Sequence, residues 1–374
     1  MLKVAVIGCG NISGSHIKAY LEFPELCQIT ALCDIYPEKA EKRKAEFGLT
    51  EARIYASHEE LLASESVDVI SVCTPPYVHS EIAVHGMEAG SNVLVEKPMA
   101  ASLEECDQML EAEKRTGKTL GVIAQNRFRT PFMNLKKVLD SGLIGKVLHT
   151  EIDSFWWRGS WEKEGGGCTL NRAVHHIDML GWMMGRPDKV TAVVSNAAHD
   201  NAEVEDISIA IMKYPEGRLA QVTSSVIHYG EQQAVKFQGE YAAVSVPWEV
   251  HASVAKGNGF PDPNPELEQK IQEYYDSLLE LQYEKHPGEI QNFLEAVERG
   301  ERPFITGEDG RLTIELITAI YEAGFTEKTV ELPLKKDDPF YTAEGILKNV
   351  RHFHEKNASV ENFTDEAISL GREV

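Results

Sequence analysis

Over the first 124 residues, short apolar runs alternate with amphipathic stretches. The runs are "KVAVIG", "QITALCD", "VDVISVC", "NVLVEK" and "TLGVIAQ", separated by "NISGSHIKAYLEF", "PEKAEKRKAEFG", "HSEIAVHGMEAG" and "SLEECDQMLEAEKRTG". Near-continuous Val, Ile and Leu suits strands covered on both faces, and the intervening polar–apolar period suits helices. The alternation predicts right-handed βαβ units around a doubly wound parallel sheet. Pro37 falls where a first helical turn tolerates proline, and Gly48, Gly90 and Gly117 stand where helices would stop.

After about residue 125 the rhythm changes. "PFMNLKKVLDSG" and "NRAVHHIDMLGWMMG" read as helices, and four strand-like runs follow: "KVTAVVSNAA", "EDISIAIMKY", "GRLAQVTSSVIHYG" and "QQAVKFQGE". The turn "YPEGR" between the second and third predicts an antiparallel meander. "KGNGFPDPNPELE", residues 256–268, reads as an exposed loop, and "EIQNFLEAVERG" and "DGRLTIELITAIYEAG" as two late helices. The pattern divides the chain into residues 1–124, residues 125–335 and a C-terminal extension, 336–374, to which it gives no role.

With 374 residues, 43% of them hydrophobic, the chain can bury more than one core. Its formal charge of −22 argues against nucleic acid and anionic membranes as partners, since their phosphates would be repelled. The chain shows no membrane-length apolar run and no signal-peptide pattern, and its six cysteines form no C-x-x-C pair. A reducing cytoplasm is the expected location.

Chemistry begins in "VAVIGCGNISGSH". Gly8 and Gly10 follow the first strand and precede a helix, where a tight turn lets a diphosphate reach backbone amides at the helix N-terminus. Asn11 and Ile12 continue that turn and join the cofactor-binding set. Ser13 takes the place of a third glycine and is small enough for close packing. Asp34 ends the second strand, where a carboxylate would bind the adenosine ribose diol, or cap the helix that follows. Tyr36 and Pro37 come next, without the basic cluster that a 2′-phosphate needs, so NAD is expected ahead of NADP. In the second half, a helix beginning at Asn171 would put Asn171, His175 and Asp178 on one face, with His176 turned away. Adjacent histidines point apart, so Cys168, His175 and His176 do not suggest a metal site, and none is expected. Trp156, Trp157, Arg158 and Trp161 form an aromatic–basic run suited either to sugar faces or to apolar packing.

"VCTPPYVHSEIAVHGMEAGSNVLVEKPMA", residues 72–100, resembles the Gfo/Idh/MocA oxidoreductases, the glucose–fructose oxidoreductase and inositol dehydrogenase group. The most specific piece is Glu96-Lys97-Pro98 after the fifth strand. The resemblance covers residues 1–335 and implies an N-terminal Rossmann domain followed by an α/β domain with a large open sheet that often mediates oligomers. It implies that Thr74 and Pro75 line the nicotinamide side, that His79 belongs to the cofactor-binding set, that Glu96 approaches the nicotinamide ribose, and that Lys97 faces substrate and cofactor. The pattern G-G-x-L-x-D/N-x-x-x-H-x-x-D maps onto Gly166, Gly167, Asn171, His175 and Asp178, which makes His175 an acid/base partner of Lys97. Asn171 stands where many members carry Asp, and it cannot take a proton. Asn126, Trp157, Arg158 and Asn171 complete the substrate set.

These residues together imply an NAD-dependent dehydrogenase acting on a secondary hydroxyl of a sugar, cyclitol or polyol, as a homodimer or homotetramer. Two other readings remain. One is an enzyme that uses bound NAD transiently for glycoside cleavage or epimerisation. The other is a non-catalytic sensor on the same fold, against which the presence of Lys97 and His175 counts.

Overall fold

A computed structural model of the chain describes residues 1–157 and 166–355. Two compact units emerge: Met1–Arg129 with Leu281–Ile314, and Thr130–Glu280 with the chain from Glu315 onward. In the first, strands β1 (Leu2–Ile7), β2 (Cys27–Cys33), β3 (Arg53–Tyr55), β4 (Val69–Val72), β5 (Asn92–Val95) and β6 (Leu120–Val122) form one sheet in the order β3-β2-β1-β4-β5-β6. Every pairing is parallel. Helices α1 (Ser13–Leu21), α2 (Pro37–Glu46), α3 (His58–Ser64), α4 (His79–Glu88) and α5 (Leu103–Thr116) connect them, as the alternating pattern predicts. The strand order reverses between β1 and β4, which marks the carboxyl ends of those strands as the ligand-binding edge.

The late segment 281–314, which the hydrophobic pattern alone leaves with the second half, packs into this first unit. Ile290, Phe293 and Leu294 join the core formed by Val4, Ile17, Tyr20 and Phe23. A Cβ at Gly121 would lie 2.7 Å from the Phe293 ring, so the absence of a side chain on β6 makes room for it. Polar groups fix the same return. The Glu289 carboxylate accepts the Ala124 N–H at 3.0 and 3.2 Å, and the Arg311 guanidinium donates to Asp107 at 2.6 Å. Contacts this far apart in sequence carry no local signature.

In the second unit, α6 (Thr130–Asp140) leads into β7 (Val147–Trp157), and α7 (Cys168–Asn171) and α8 (Val174–Met184) follow. Strands β8 (Lys189–Ser195), β9 (Ile207–Lys213), β10 (Leu219–Ser225), β11 (Ile227–Gly239), β12 (Ala242–Val246), β13 (Glu249–Ala255) and β14 (Pro261–Pro263) precede α9 (Pro265–Asp276). Then α10 (Lys285–Arg299) and α11 (Gly307–Thr326) cross the first unit's late segment, the unit boundary falling inside α11. Finally come β15 (Val330–Glu331) and α12 (Ala343–Asn349). The nine strands are ordered β14-β13-β12-β11-β7-β10-β9-β8-β15. Only β7 and β10 run parallel; the other pairs are antiparallel.

The expected meander is present as β8-β9-β10, with the turn at Pro215–Gly217. Three expectations need correction. The run "GRLAQVTSSVIHYG" is not one strand: it breaks at Val226, whose side chain is buried with Cys168 and Ala202 and whose N–H bonds to Asp206 O. Residues 256–268 are not all loop, since β14 pairs with β13 and α9 begins at Pro265. There the Asn264 side chain accepts the Leu267 N–H, and Glu268 accepts the Ala252 N–H. The helix expected from Asn171 onward is two helices, as described below.

Helix α11 carries Glu322, half-buried, beside Asp338. Burial, then the neighbouring Asp338 charge and hydrogen bond, push its carboxyl up from an ordinary 4.5 to about 7. The folded chain therefore holds a proton there that the unfolded chain releases above 4.5. This contribution to stability is fully present below 4.5 and is lost as the pH rises through 7. Thermal midpoints should accordingly fall between pH 5 and pH 8, and Glu322→Gln, which stays neutral, should flatten that fall. Superimposable wild-type and Gln profiles would show that Glu322 does not titrate in this window.

Candidate functional site

The turn after β1 is shaped by sterics. Gly8 has φ +92°, and a Cβ there would lie 2.7 Å from the Cys73 carbonyl carbon and oxygen, so glycine is needed for both conformation and space. At Gly10 a Cβ would meet nothing within 4 Å, which leaves the backbone open to a ligand. Ser13 closes the turn by donating to Gly10 O at 2.6 Å, and Arg43 from α2 reaches back to the same carbonyl at 2.9 Å and to Ser13 Oγ at 3.2 Å. Asn11 and Ile12 lie between this turn and α1.

Asp34 leaves the end of β2 and accepts two backbone amides, Cys9 N–H at 2.7 Å and Tyr36 N–H at 2.9 Å. It thus steadies the glycine turn and holds the chain just before α2, whose N-cap, Tyr36, has no side-chain cap. Each carboxylate oxygen keeps a lone pair for a diol. At the carboxyl end of β4, Thr74 Oγ1 is buried without a hydrogen-bond partner, and Pro75 follows in extended conformation. The His79 ring is buried against two carbonyls, Thr74 O at 2.8 Å and Pro98 O at 3.0 Å; burial lowers its pKa, so the neutral ring donates its one N–H to one of them.

The strongest electrostatic feature is Glu96. Its carboxylate is buried directly after β5, with Oε1 2.8 Å from His16 Nε2 and 3.5 Å from His286 Nε2. Oε2 accepts the Lys97 backbone N–H at 3.1 Å. Burial alone would raise this carboxyl, but the hydrogen bond from His16 and the nearby His286 ring outweigh it and hold it well below its ordinary value. Burial lowers the His16 pKa, leaving the ring neutral at pH 7. The network then assigns its protons: Nε2–H donates to Glu96, and Nδ1, at 2.7 Å, accepts from Ser71 Oγ–H. Glu96, which the resemblance assigns to the nicotinamide ribose, thus already has three protein contacts and orients the start of Lys97.

In the second unit, Gly166 and Gly167 precede α7. A Cβ at Gly167 would fall 2.0 Å from the carboxylate of buried Glu205, so this glycine exists to let the backbone rest on that group. Glu205 Oε1 accepts Thr169 N–H at 3.0 Å and Tyr321 O–H at 3.1 Å, capping the short helix. Burial raises the Glu205 pKa. The chain then breaks: Ala173 N–H returns to Cys168 O, and α8 restarts at Val174. Asn171 ends α7, whereas His175 is the second residue of α8. The expected single face through Asn171, His175 and Asp178 is therefore not a helical stripe. The Asn171 amide instead donates to the carbonyls of Gly166 and, at 3.2 Å, Gly167. His175 is half-buried, while His176 and Asp178 are buried.

Trp157 ends β7 and stacks on Tyr229 with ring centroids 5.5 Å apart. The Arg172 guanidinium lies 3.7 Å over the neighbouring Trp156 ring and pairs with half-buried Glu231. Asn126 is half-buried in a short turn beyond β6, next to Arg127, which is buried and paired with Asp309 at 3.1 Å. Arg158 and Trp161 lie outside the described residues. Residue spacing gave no role to His16, Arg43, Glu205, Glu231 or His286. His16 alone had a signal, in its place one helical turn past the glycines.

These features fit a dinucleotide: an open Gly10 backbone, a carboxylate with spare acceptor capacity, and an orphaned Thr74 hydroxyl at the switch point. They also predict what holds Glu96. His16→Ala leaves a buried carboxylate without its shortest donor and should cost about 3–5 kcal/mol, read from urea midpoints. His16→Gln, which can still donate, should recover part of that loss. A loss below about 1 kcal/mol for the Ala variant would mean that His16 does not hold the carboxylate.

The comparisons with known proteins agree with this geometry. Residues 2–124 match the model of the GFO/IDH/MocA oxidoreductase family, NAD-binding Rossmann fold, and residues 136–332 match that family's C-terminal α/β domain. Myo-inositol 2-dehydrogenase of Thermotoga maritima is 26% identical over 340 residues, covering 88% of this chain and 98% of that one. A 2,7-anhydro-N-acetylneuraminate hydratase of Mediterraneibacter gnavus is 25% identical over 369 residues, covering 88% and 96%. Among solved structures, the WlbA dehydrogenase from Bordetella pertussis in complex with NADH and UDP-GlcNAcA superposes with a TM-score of 0.75 at 26% identity, covering 89% and 98%. The chain belongs to the GFO/IDH/MocA oxidoreductases, and its first unit is that family's NAD-binding Rossmann domain.

Proposed function

We propose that this protein is an NAD-dependent dehydrogenase that oxidises a secondary hydroxyl of a sugar, cyclitol or related polyol. The observation that carries the reading is Lys97, placed directly after β5 at the ligand-binding edge of the sheet, with its backbone N–H bound to the buried Glu96 carboxylate. The named relatives support the substrate class, since inositol and a nucleotide sugar both present secondary hydroxyls.

Gly8, Gly10, Asn11 and Ile12 would hold the diphosphate, Asp34 the adenosine ribose, and Thr74, Pro75, His79 and Glu96 the nicotinamide half. When bound, the nicotinamide supplies the hydride acceptor. Lys97 orients the substrate hydroxyl and His175 takes its proton, a task that suits a group titrating near neutrality. Asn126, Trp157, Arg158 and Asn171 are assigned to substrate; for Asn171 the role is indirect, through the Gly166–Gly167 turn that its amide holds. The apolar face that Val193, Ile209 and Ile211 leave exposed on β8 and β9 is assigned to a second copy of the chain, as in a homodimer or homotetramer.

The hydratase among the relatives favours one second reading, in which NAD is reduced and reoxidised within a single turnover. A panel of sugars and cyclitols with NAD separates the two: a dehydrogenase releases NADH with substrate alone, whereas transient use of NAD gives product without net NADH. In either case Lys97→Ala should leave NAD affinity nearly unchanged and lower turnover by roughly 10²-fold or more. His175→Asn should remove the acidic limb of the pH–rate profile. Wild-type turnover in the Lys97 variant would take that residue out of the chemistry.

A further inference from the structure

Three metal-ligating side chains converge away from the dinucleotide turn, where the Cys, His and Asp spacing gave no sign of them. His58 opens α3, and Glu81 and His85 lie four residues apart on α4, so both face the same way one helical turn from each other. His58 Nε2 is 2.9 Å from His85 Nδ1 and 4.0 Å from Glu81 Oε1. All three donor atoms fall within 4.8 Å of one another. We propose that His58, Glu81 and His85 form a binding site for a divalent transition metal of the zinc type.

The donor set is the first argument. Two imidazole nitrogens and one carboxylate suit Zn²⁺ or Ni²⁺, whereas Mg²⁺ and Ca²⁺ prefer oxygen throughout. The second is geometric. Tetrahedral zinc with bonds of about 2.0–2.1 Å sets its donors roughly 3.3 Å apart, and the observed separations bracket that value. Small side-chain rotations therefore close the site. Water completes the coordination.

The third argument lies behind the ligands. Glu59 Oε2 stands 3.4 Å from His58 Nδ1, the nitrogen turned away from the cluster. A carboxylate there keeps the proton on Nδ1 and leaves Nε2 as the free donor, the arrangement that orients metal-bound histidines. Without metal, the two histidines satisfy each other by one N–H···N bond. A metal held by Nε2 of His58 and Nδ1 of His85 leaves each ring its other nitrogen for a proton. Glu59 and Glu81 give the cluster a negative charge that favours a dication.

Such an ion would join α3 to α4. Helix α3 is short and follows the three-residue edge strand β3, whose Tyr55 carbonyl accepts the Asp34 N–H at 3.2 Å. The site would thus clasp the edge of the sheet that carries the ribose carboxylate, and its occupancy would add to the stability of that edge.

The test uses tag-free, EDTA-dialysed full-length protein titrated with Zn²⁺ by calorimetry, with thermal melts in parallel. One zinc should bind per chain with micromolar affinity and raise the melting midpoint, and Mg²⁺ at the same concentration should do neither. His58→Gln and His85→Gln should each weaken binding at least tenfold while keeping the metal-free melting midpoint. Glu59→Gln leaves all three ligands in place and should still weaken binding by about tenfold. Absence of saturable zinc binding up to 100-fold molar excess would overturn the site. So would an affinity unchanged in the two histidine variants, because the metal would then sit elsewhere.

Discussion

A buried negative charge sets the terms for the first unit. Transferring an isolated carboxylate into a protein interior costs several kcal/mol unless donors replace its water. Glu96 has its donors, a neutral His16 on one oxygen and the Lys97 amide on the other, and His286 stands 3.5 Å away. Each comes from a different part of the chain. His16 belongs to the dinucleotide helix, Lys97 follows β5, and His286 returns from almost 200 positions later. Meeting the carboxylate's demand therefore joins α1, the β5 loop and α10 around one atom pair. The late segment is anchored in the first unit by Ile290 and Phe293 in the core and by Glu289 on the Ala124 amide, and its His286 lies beside the same carboxylate.

Neighbouring groups carry the same logic outward. Ser71 on β4 fixes the His16 tautomer, and the His79 ring is buried against the Thr74 and Pro98 carbonyls. Asp34 and Arg43 hold the glycine turn from its two sides. At this edge the side chains of His16, Asp34 and Glu96 are each held by the protein itself, while Thr74 Oγ1 has no partner. An edge built this way is pre-organised: a ligand meets fixed amides and fixed carbonyls and has little ordering left to do.

Much of this was legible in the sequence, and the limits have physical causes. The parallel sheet was readable because its strands are buried on both faces, so their apolar runs are unbroken. The glycines and Asp34 were readable because their spacing is local. Strand β7, the centre of the second sheet, was not. Its inward positions are Thr150, Ile152 and Ser154, and two of the three are polar, so the alternation that marks a half-buried strand is blurred. The break between α7 and α8 was hidden too. Propensity favours one helix from Asn171, but Glu205 pins the preceding turn, and the chain must restart after it. His286 and Glu205 had no local signal at all, since their meaning lies wholly in partners distant in sequence.

The break also changes what the asparagine means. On a continuous helix, Asn171 would stand one turn from His175 as a fellow contact, and its replacement of the common Asp would read as a loss of proton-carrying capacity. At the end of α7 its amide donates to two backbone carbonyls of the glycine turn. A carboxylate at that position has no proton to donate near neutral pH and would face the same carbonyls with like partial charge. In this chain the asparagine amide therefore binds the turn itself. The turn in turn requires Gly167, because Glu205 occupies the space where any side chain would go. Glu205, Gly167 and Asn171 thus meet at one turn, and α8, which carries His175, starts directly after it.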